Sequence, residues 1–403
     1  MNIIAANVNS VFRENFSPTP DLYYSPGRIN FIGEHVDYND GFVMPAAIDK
    51  GIYYAIELNN TDELNFYSID FKERLTIRIA DIKKLTGWKN YVLSIANEFV
   101  LGGFSLRGFD CVFGGNIPNG AGMSSSAAVE GGLAFAINEL FHFGISRKKL
   151  ALLCQRAEHN FPGVQVGIMD MYANMMGKKN NVILLDCRSI EHQYFPIELS
   201  DYKIVLINSN VHHSLASSEY NVRRKQCEEG LRIMKEEKNI NSFRDIKKAE
   251  DLLPFKSKMG EKVYMRCLYV VQEIYRTQQA SKLLQQSNLL EFGKLMFATH
   301  EGLSNLYQVS CNELDFLVEL AKQNTNVIGA RMMGGGFGGC TINIIKEEAI
   351  GDFLSSATVA YQKKFQVDPE VFEVSIVDGT HEISDLQNTT HVHGREHLAP
   401  FSS

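Results

Sequence analysis

Apolar positions along this chain alternate between two periods, and the switches between them mark out its elements. Residues 42–58 (FVMPAAIDKGIYYAIEL) and 63–79 (ELNFYSIDFKERLTIRI) are alternating and rich in β-branched and aromatic residues, which predicts strands. Trp88, Tyr91, Val92, Ile95 and Phe99 recur at helical spacing. A strand at 108–113 leads into the loop GGNIPNGAGMSSSAA, after which Val129, Leu133, Ala136, Ile137 and Leu140 line one helix face. A helix at 146–160 and buried strands at 181–187 and 202–208 complete the first half. The second half opens on a charged helical block at 216–238 and continues with helices at 262–287 and 312–323. It closes on strand-like segments at 341–346 and 371–377. With no repeat and no long linker, the pattern predicts domains at 1–205 and 206–386 and a polar, frayed tail at 387–403.

Composition narrows the class. At 45% hydrophobic and 22% charged residues, the chain reads as an ordinary globular protein. A net charge of -7 argues against a nucleic-acid partner, since such binding rests on phosphate neutralisation by Lys and Arg. The seven cysteines are scattered, with no Cys-x-x-Cys pair, which fits buried thiols in a reducing compartment. The N-terminus lacks a basic leader, and no apolar run approaches the roughly 20 residues of a membrane span. A soluble, cytoplasmic enzyme with no membrane partner is expected. His391, His393 and His397 resemble a metal tract, but without a nearby Cys or carboxylate cluster they read as solvated tail.

Three segments carry candidate chemistry. The run 27–38, GRINFIGEHVDY, holds Arg28, Glu34, His35 and Asp37 within ten residues beside apolar Ile29, Phe31 and Ile32. Such charge density suits a pocket gripping a polyhydroxylated ligand beside a polyanion better than a structural strand. In PNGAGMSSSAA, Gly120 and Gly122 allow successive amides to face one concavity, and the following helix adds its N-terminal dipole. Phosphate binding is favoured there over simple capping by serines 124–126, because one serine suffices for a cap. No lysine follows, so this is not the GxxxxGK[ST] loop. The third segment, MGGGFGGC at 333–340, runs into a strand rather than a helix, which excludes a dinucleotide fold. It serves either close backbone approach to a ligand or a tight strand connection. Asp170, in GIMDMYANMMGK, reads as a desolvated base or as a partner of backbone amides. Tyr220 begins a charged stretch that otherwise passes for a solvated face. The HRD and DFG marks of protein kinases are absent.

Taken together, these motifs resemble those of the GHMP small-molecule kinases, in the family's order, from about residue 12 to about 380. AEHNFPGVQVGIMD, LLDCRS and NSNVHHSLASSEYNVRRKQCEEG extend the similarity between them. The resemblance implies an α+β, two-domain architecture with its active site in the interdomain cleft. It implies ATP and Mg2+, and transfer of a phosphoryl group to the anomeric hydroxyl of a sugar, galactose first. Asp170 would be the base or charge partner of that hydroxyl, with Arg28 beside the transferring group. Glu34, His35, Asp37, the backbone of Gly167 and Tyr220 would hold the sugar. Gly120, Ala121, Gly122, Met123, Ser124, Ser125 and Ser126 would cradle ATP, with Trp88 and Tyr91 near adenine. Ser126 and Glu158 would face magnesium. The expected partners are the sugar and ATP alone, bound by a monomer.

The chain departs from the family pattern at several positions. Met171 stands where glutamine is usual, Val36 where threonine is usual, and Phe31 where an aliphatic residue is usual. Asn119 and Met123 vary the phosphate loop. The alternatives are therefore a 1-kinase for N-acetylgalactosamine or L-arabinose, or a silent sugar and ATP sensor. Against the sensor, the serine run is intact and Arg28 and Asp170 are both present.

Overall fold

The computed structural model describes residues 2–16, 19–118, 120–212 and 216–383. Asn119 and the tail histidines lie outside them.

The first half is built on a six-stranded sheet in the order His381–Glu382, Asp21–Asn30, Pro45–Leu58, Phe109–Gly115, Glu63–Ser68, Glu73–Arg78. The segment 63–79 is thus a hairpin of two strands rather than one, because residues 69–72 turn between them, with Lys72 at φ 52. Helices Ser125–Leu140 and Met169–Met176 cover one face of this sheet, with Trp88–Leu101 and Arg147–Asn160 packed against them. Small residues let the first of these helices lie close to the strands: the Ser25 hydroxyl donates to the Ala128 carbonyl at 2.7 Å. Helix Ile3–Asn15 closes the other face, with Ala5, Val8 and Phe12 against Tyr24, Tyr53 and Val112.

A four-stranded sheet carries the second half, in the order Val327–Met332, Gly338–Lys346, Tyr202–His212, Glu370–Val374. Helices Asn312–Gln323 and Ile350–Phe365 bury Leu317, Val318, Phe353 and Tyr361 against Val205 and Ile207 of that sheet. The sheet's other residues, among them Ile204, Leu206, Ile342 and Ile344, share a core with Ile29, Phe31, Ile32 and Met44 of the first half. A boundary at 205 would fall inside Tyr202–His212, whose sheet partners all lie later in the chain. The chain also crosses back, pairing Tyr23 with Glu382 in the first sheet. The charged run proves to be part strand after all: Arg28 lies in Asp21–Asn30, and the chain leaves the sheet only at Phe31. Strand and pocket are compatible because the alternate faces of this segment meet the shared core and the cleft.

Candidate active site

One cavity of about 230 Å³ lies at the junction of the two halves, lined by Arg28, Glu34, His35, Asp37, Gly167, Asp170 and Tyr220, with Val164, Val166, Met169 and backbone at 334–336. Every residue expected to hold the sugar reaches this one space. The apolar members, Val164, Val166 and Met169, were not legible as ligand contacts in the sequence.

The centre is an ion pair. Arg28 donates from Nε and Nη2 to the two oxygens of Asp170, each at 2.8 Å, and also to the Gly122 carbonyl. Burial pulls the Arg28 pKa down, but Asp170 and then Glu34 outweigh it and hold the pKa above the ordinary value. Asp170 opens the helix Met169–Met176 and also accepts from the Ser124 hydroxyl. These contacts fill three of its roughly four acceptor sites.

On the sugar side, Glu34 and His35 are each 3% exposed. His35 sits at φ 61, in a left-handed turn, with Nδ1 2.8 Å from the Tyr38 hydroxyl. Burial lowers its pKa to about 3, so the imidazole is neutral. Burial, reinforced by the charges of Asp170 and Glu34, pushes Asp37 up to about 7. Gly167 lies so close to Asp37 that a Cβ there would fall 1.8 Å from its Oδ2. The turn into Glu34 depends on Gly33, at φ 92, where a Cβ would meet the Phe42 carbonyl at 2.4 Å. Tyr220 stacks obliquely near His35, with ring centroids 5.3 Å apart.

The phosphate side is local. Gly120, Gly122 and Ser124 have φ of 73, 71 and 57 just before the helix Ser125–Leu140, so the backbone curls at a helix N-terminus. Ser124 makes no capping bond; its hydroxyl goes to Asp170 instead, and Ser126 lies near Glu158. Glu158 is 5% exposed, and burial raises its pKa, with Asp170 adding to the effect. Glu130, fully buried beside it, is raised by burial and by Glu158. Tyr91 lies near this carboxyl pair, and Trp88, 7% exposed, packs on Phe113 and donates from its indole to Glu73 at 2.9 Å.

The 333–340 loop does both things considered for it. It joins the antiparallel strands Val327–Met332 and Gly338–Lys346, and its backbone at 334–336 also walls the cavity. Three of the unusual residues do not line the cavity: Phe31 meets Phe292 edge-on in the shared core, and Val36 and Met171 are buried among apolar neighbours. Groups that sequence reasoning missed include Arg331, which pairs with Glu34 at 2.7 Å, and Glu273, which accepts from the Gly33 amide at 2.8 Å. The signal for Arg331 was a lone charge in the apolar run VIGARMM.

Comparison with known proteins agrees with this geometry. Family models match residues 10–58 (galactokinase galactose-binding signature), 90–178 (GHMP kinases N terminal domain) and 280–358 (GHMP kinases C terminal). The mevalonate kinase of Methanococcus jannaschii, 18% identical, shares the fold with a TM-score of 0.62 over 90% of this chain and 100% of that one. The chain belongs to the GHMP kinases. A galactokinase of Clostridium acetobutylicum is 38% identical over 390 residues, 95% of this chain and 99% of the relative. A galactokinase of Thermotoga maritima is 38% identical over 359 residues, 89% and 99% of the two chains. The Lactococcus lactis galactokinase solved with galactose is 31% identical, with a TM-score of 0.90 over 94% of this chain and 99% of that one. Within the class, the chain is a member of the galactokinase family.

Proposed function

We propose that the chain transfers the γ-phosphoryl group of ATP to the anomeric hydroxyl of galactose. The observation that carries this reading is the Arg28–Asp170 pair, tied by Ser124 to the phosphate loop and open to the sugar cavity. Asp170 has one acceptor site left, on Oδ1, for the hydroxyl of the sugar. As the sugar oxygen bonds to the γ-phosphorus, its proton passes to Asp170 and the bond to the ADP oxygen breaks. Arg28 stabilises the charge spread over the phosphoryl oxygens. Glu34, Asp37 and neutral His35 read the hydroxyl pattern, with Tyr220 and the Gly167 backbone closing the cavity. Val164, Val166 and Met169 offer an apolar wall to the carbon face of the ring.

The curled backbone at 120–124 and the first amides of the helix would bind the phosphates. Trp88 and Tyr91 would border the adenine. Ser126 and Glu158 offer hard oxygen donors at that end, a set that fits magnesium, which typically takes only one or two protein ligands beside phosphate. A bound Mg2+ would neutralise phosphate charge. All seven cysteines are free, which supports a reducing compartment such as the cytoplasm. Among the described residues, no helix is long and apolar enough to cross a membrane.

The departures Phe31, Val36 and Met171 pack into the core rather than lining the cavity, which removes their argument for a related sugar over galactose. An ADP-release assay with Mg-ATP and a sugar panel tests the reading. Turnover of galactose is expected; turnover of another sugar but not galactose, or binding without turnover, would overturn it.

A further inference from the structure

Arg331 is 0% exposed and sits in the later half, in the strand Val327–Met332. Its Nε donates to the Phe31 carbonyl at 2.8 Å and its Nη1 to the Met332 carbonyl at 2.6 Å. Its Nη2 donates to the Asn30 carbonyl and to Glu34 Oε2, the latter at 2.7 Å. Three of these four acceptors belong to residues 30–34, the segment that delivers Glu34 to the cavity. Stability alone does not explain the choice. Burying an ion pair costs several kcal/mol per ion, and apolar residues of the same volume often replace one without loss. Apolar neighbours are abundant here, since Ile29, Phe31, Ile342 and Ile344 share the surrounding core.

We infer that Arg331 is a positioning residue for sugar recognition: it sets the Glu34 carboxylate and thereby the discrimination among sugars. The inference rests on the sugar-kinase reading above. Oε2 of Glu34 accepts from Arg331 and, at 3.3 Å, from the Asn30 amide. Oε1 makes no hydrogen bond among the described residues, and Glu34 lines the cavity. With one oxygen held, the carboxylate cannot rotate to follow a misplaced hydroxyl. An epimer therefore leaves Oε1 unpaired, which is how a buried polar group rejects the wrong ligand. The backbone on either side is held from the same half: the Tyr269 hydroxyl donates to the Glu34 carbonyl at 2.9 Å, and the Gly33 amide donates to Glu273. Lysine would keep the charge but lose the planar fork that reaches three carbonyls and a carboxylate together.

The test is steady-state kinetics of Arg331→Lys with Mg-ATP and a sugar panel. KM for galactose should rise about tenfold or more, and preference for galactose over its epimers should shrink. The kcat and the KM for ATP should stay within about threefold of the parent, a split that a general loss of structure would not produce. Unchanged KM for galactose, or an equal fall in kcat at constant KM, would overturn the inference. If Arg331→Lys does not fold, Arg331→Met combined with Glu34→Gln removes both buried charges at once. Compared with Glu34→Gln alone, that pair should lose about a further fivefold in KM for galactose; equal KM would again overturn it. An unmodified chain that turns over no sugar refutes the kinase reading, and galactose affinity by calorimetry then reads the same comparison. An active parent with an unaltered Arg331→Lys variant refutes only this inference.

Discussion

The cavity and the glycine-rich loop tied to it through Asp170 form two ends of the site, and they are built by different means. The phosphate end is one continuous segment, 120–126, whose curl and helix N-terminus arise from neighbouring residues. The sugar end is assembled from residues 28–37, 164–170, 220 and 334–336, and is braced from behind by Glu273 and Arg331. A phosphate is bound through backbone amides, which any suitably curled segment supplies. Telling one sugar from another needs several side chains placed at fixed distances, and only a packed interface holds them so.

The sharpest break between the two ends falls at Asp170, where they meet. Asp170→Asn should lower kcat by about 10²–10⁴-fold while the protein still folds and binds ATP. Single-turnover kinetics with nucleotide-binding calorimetry would check this, and near-normal turnover would remove Asp170 from the chemistry. Next in size, Gly33→Ala should destabilise the fold by about 2–4 kcal/mol, through its left-handed φ and the collision with the Phe42 carbonyl. Urea unfolding would show this, and a stable Gly33→Ala protein would mean that the sugar end is less braced than argued.

Ser124→Ala should reduce kcat about tenfold with little effect on stability, since it removes one hydrogen bond to a charged group and no cap. A loss of stability without loss of kcat would return Ser124 to a capping role. The smallest effect concerns Asp37. Its pKa rises on folding from 3.8 to about 7, so between those values the folded chain binds more protons than the unfolded one. Its stabilising contribution is therefore present below the unfolded pKa and is lost as pH rises through about 7. Without sugar, Asp37→Asn should raise the melting temperature by a few degrees at pH 7.5 relative to its effect at pH 5. The same offset at both pH values would contradict the shift.

The same division decides how much was legible before the structure. The phosphate loop, its helix and the strand before it could be placed from glycine spacing and periodicity, because those features depend on neighbours in sequence. The identity of Arg28, Glu34, His35 and Asp37 as site residues was also visible, since their charge had no local use. Their surroundings were not. Nothing near Glu34 in sequence announces Arg331, and nothing near Gly33 announces Glu273, because those partners arrive from 297 and 240 residues away. Phe31, Val36 and Met171 look like changes to the sugar contacts in a linear reading. Their burial in apolar cores makes them packing changes instead.

Reaction type was legible through the resemblance to the GHMP kinases, carried by short motifs; the residues themselves indicated a nest of amides before a helix and left the role of Asp170 open. Side-chain direction, protonation and long-range pairing depend on burial, which no local window contains. Only the folded chain could tie Ser124 to Asp170, raise Asp37 toward neutrality and hold one oxygen of Glu34. Those three facts come from desolvation and from contacts between segments far apart in sequence, and they separate a phosphate-binding loop from a site that selects its sugar.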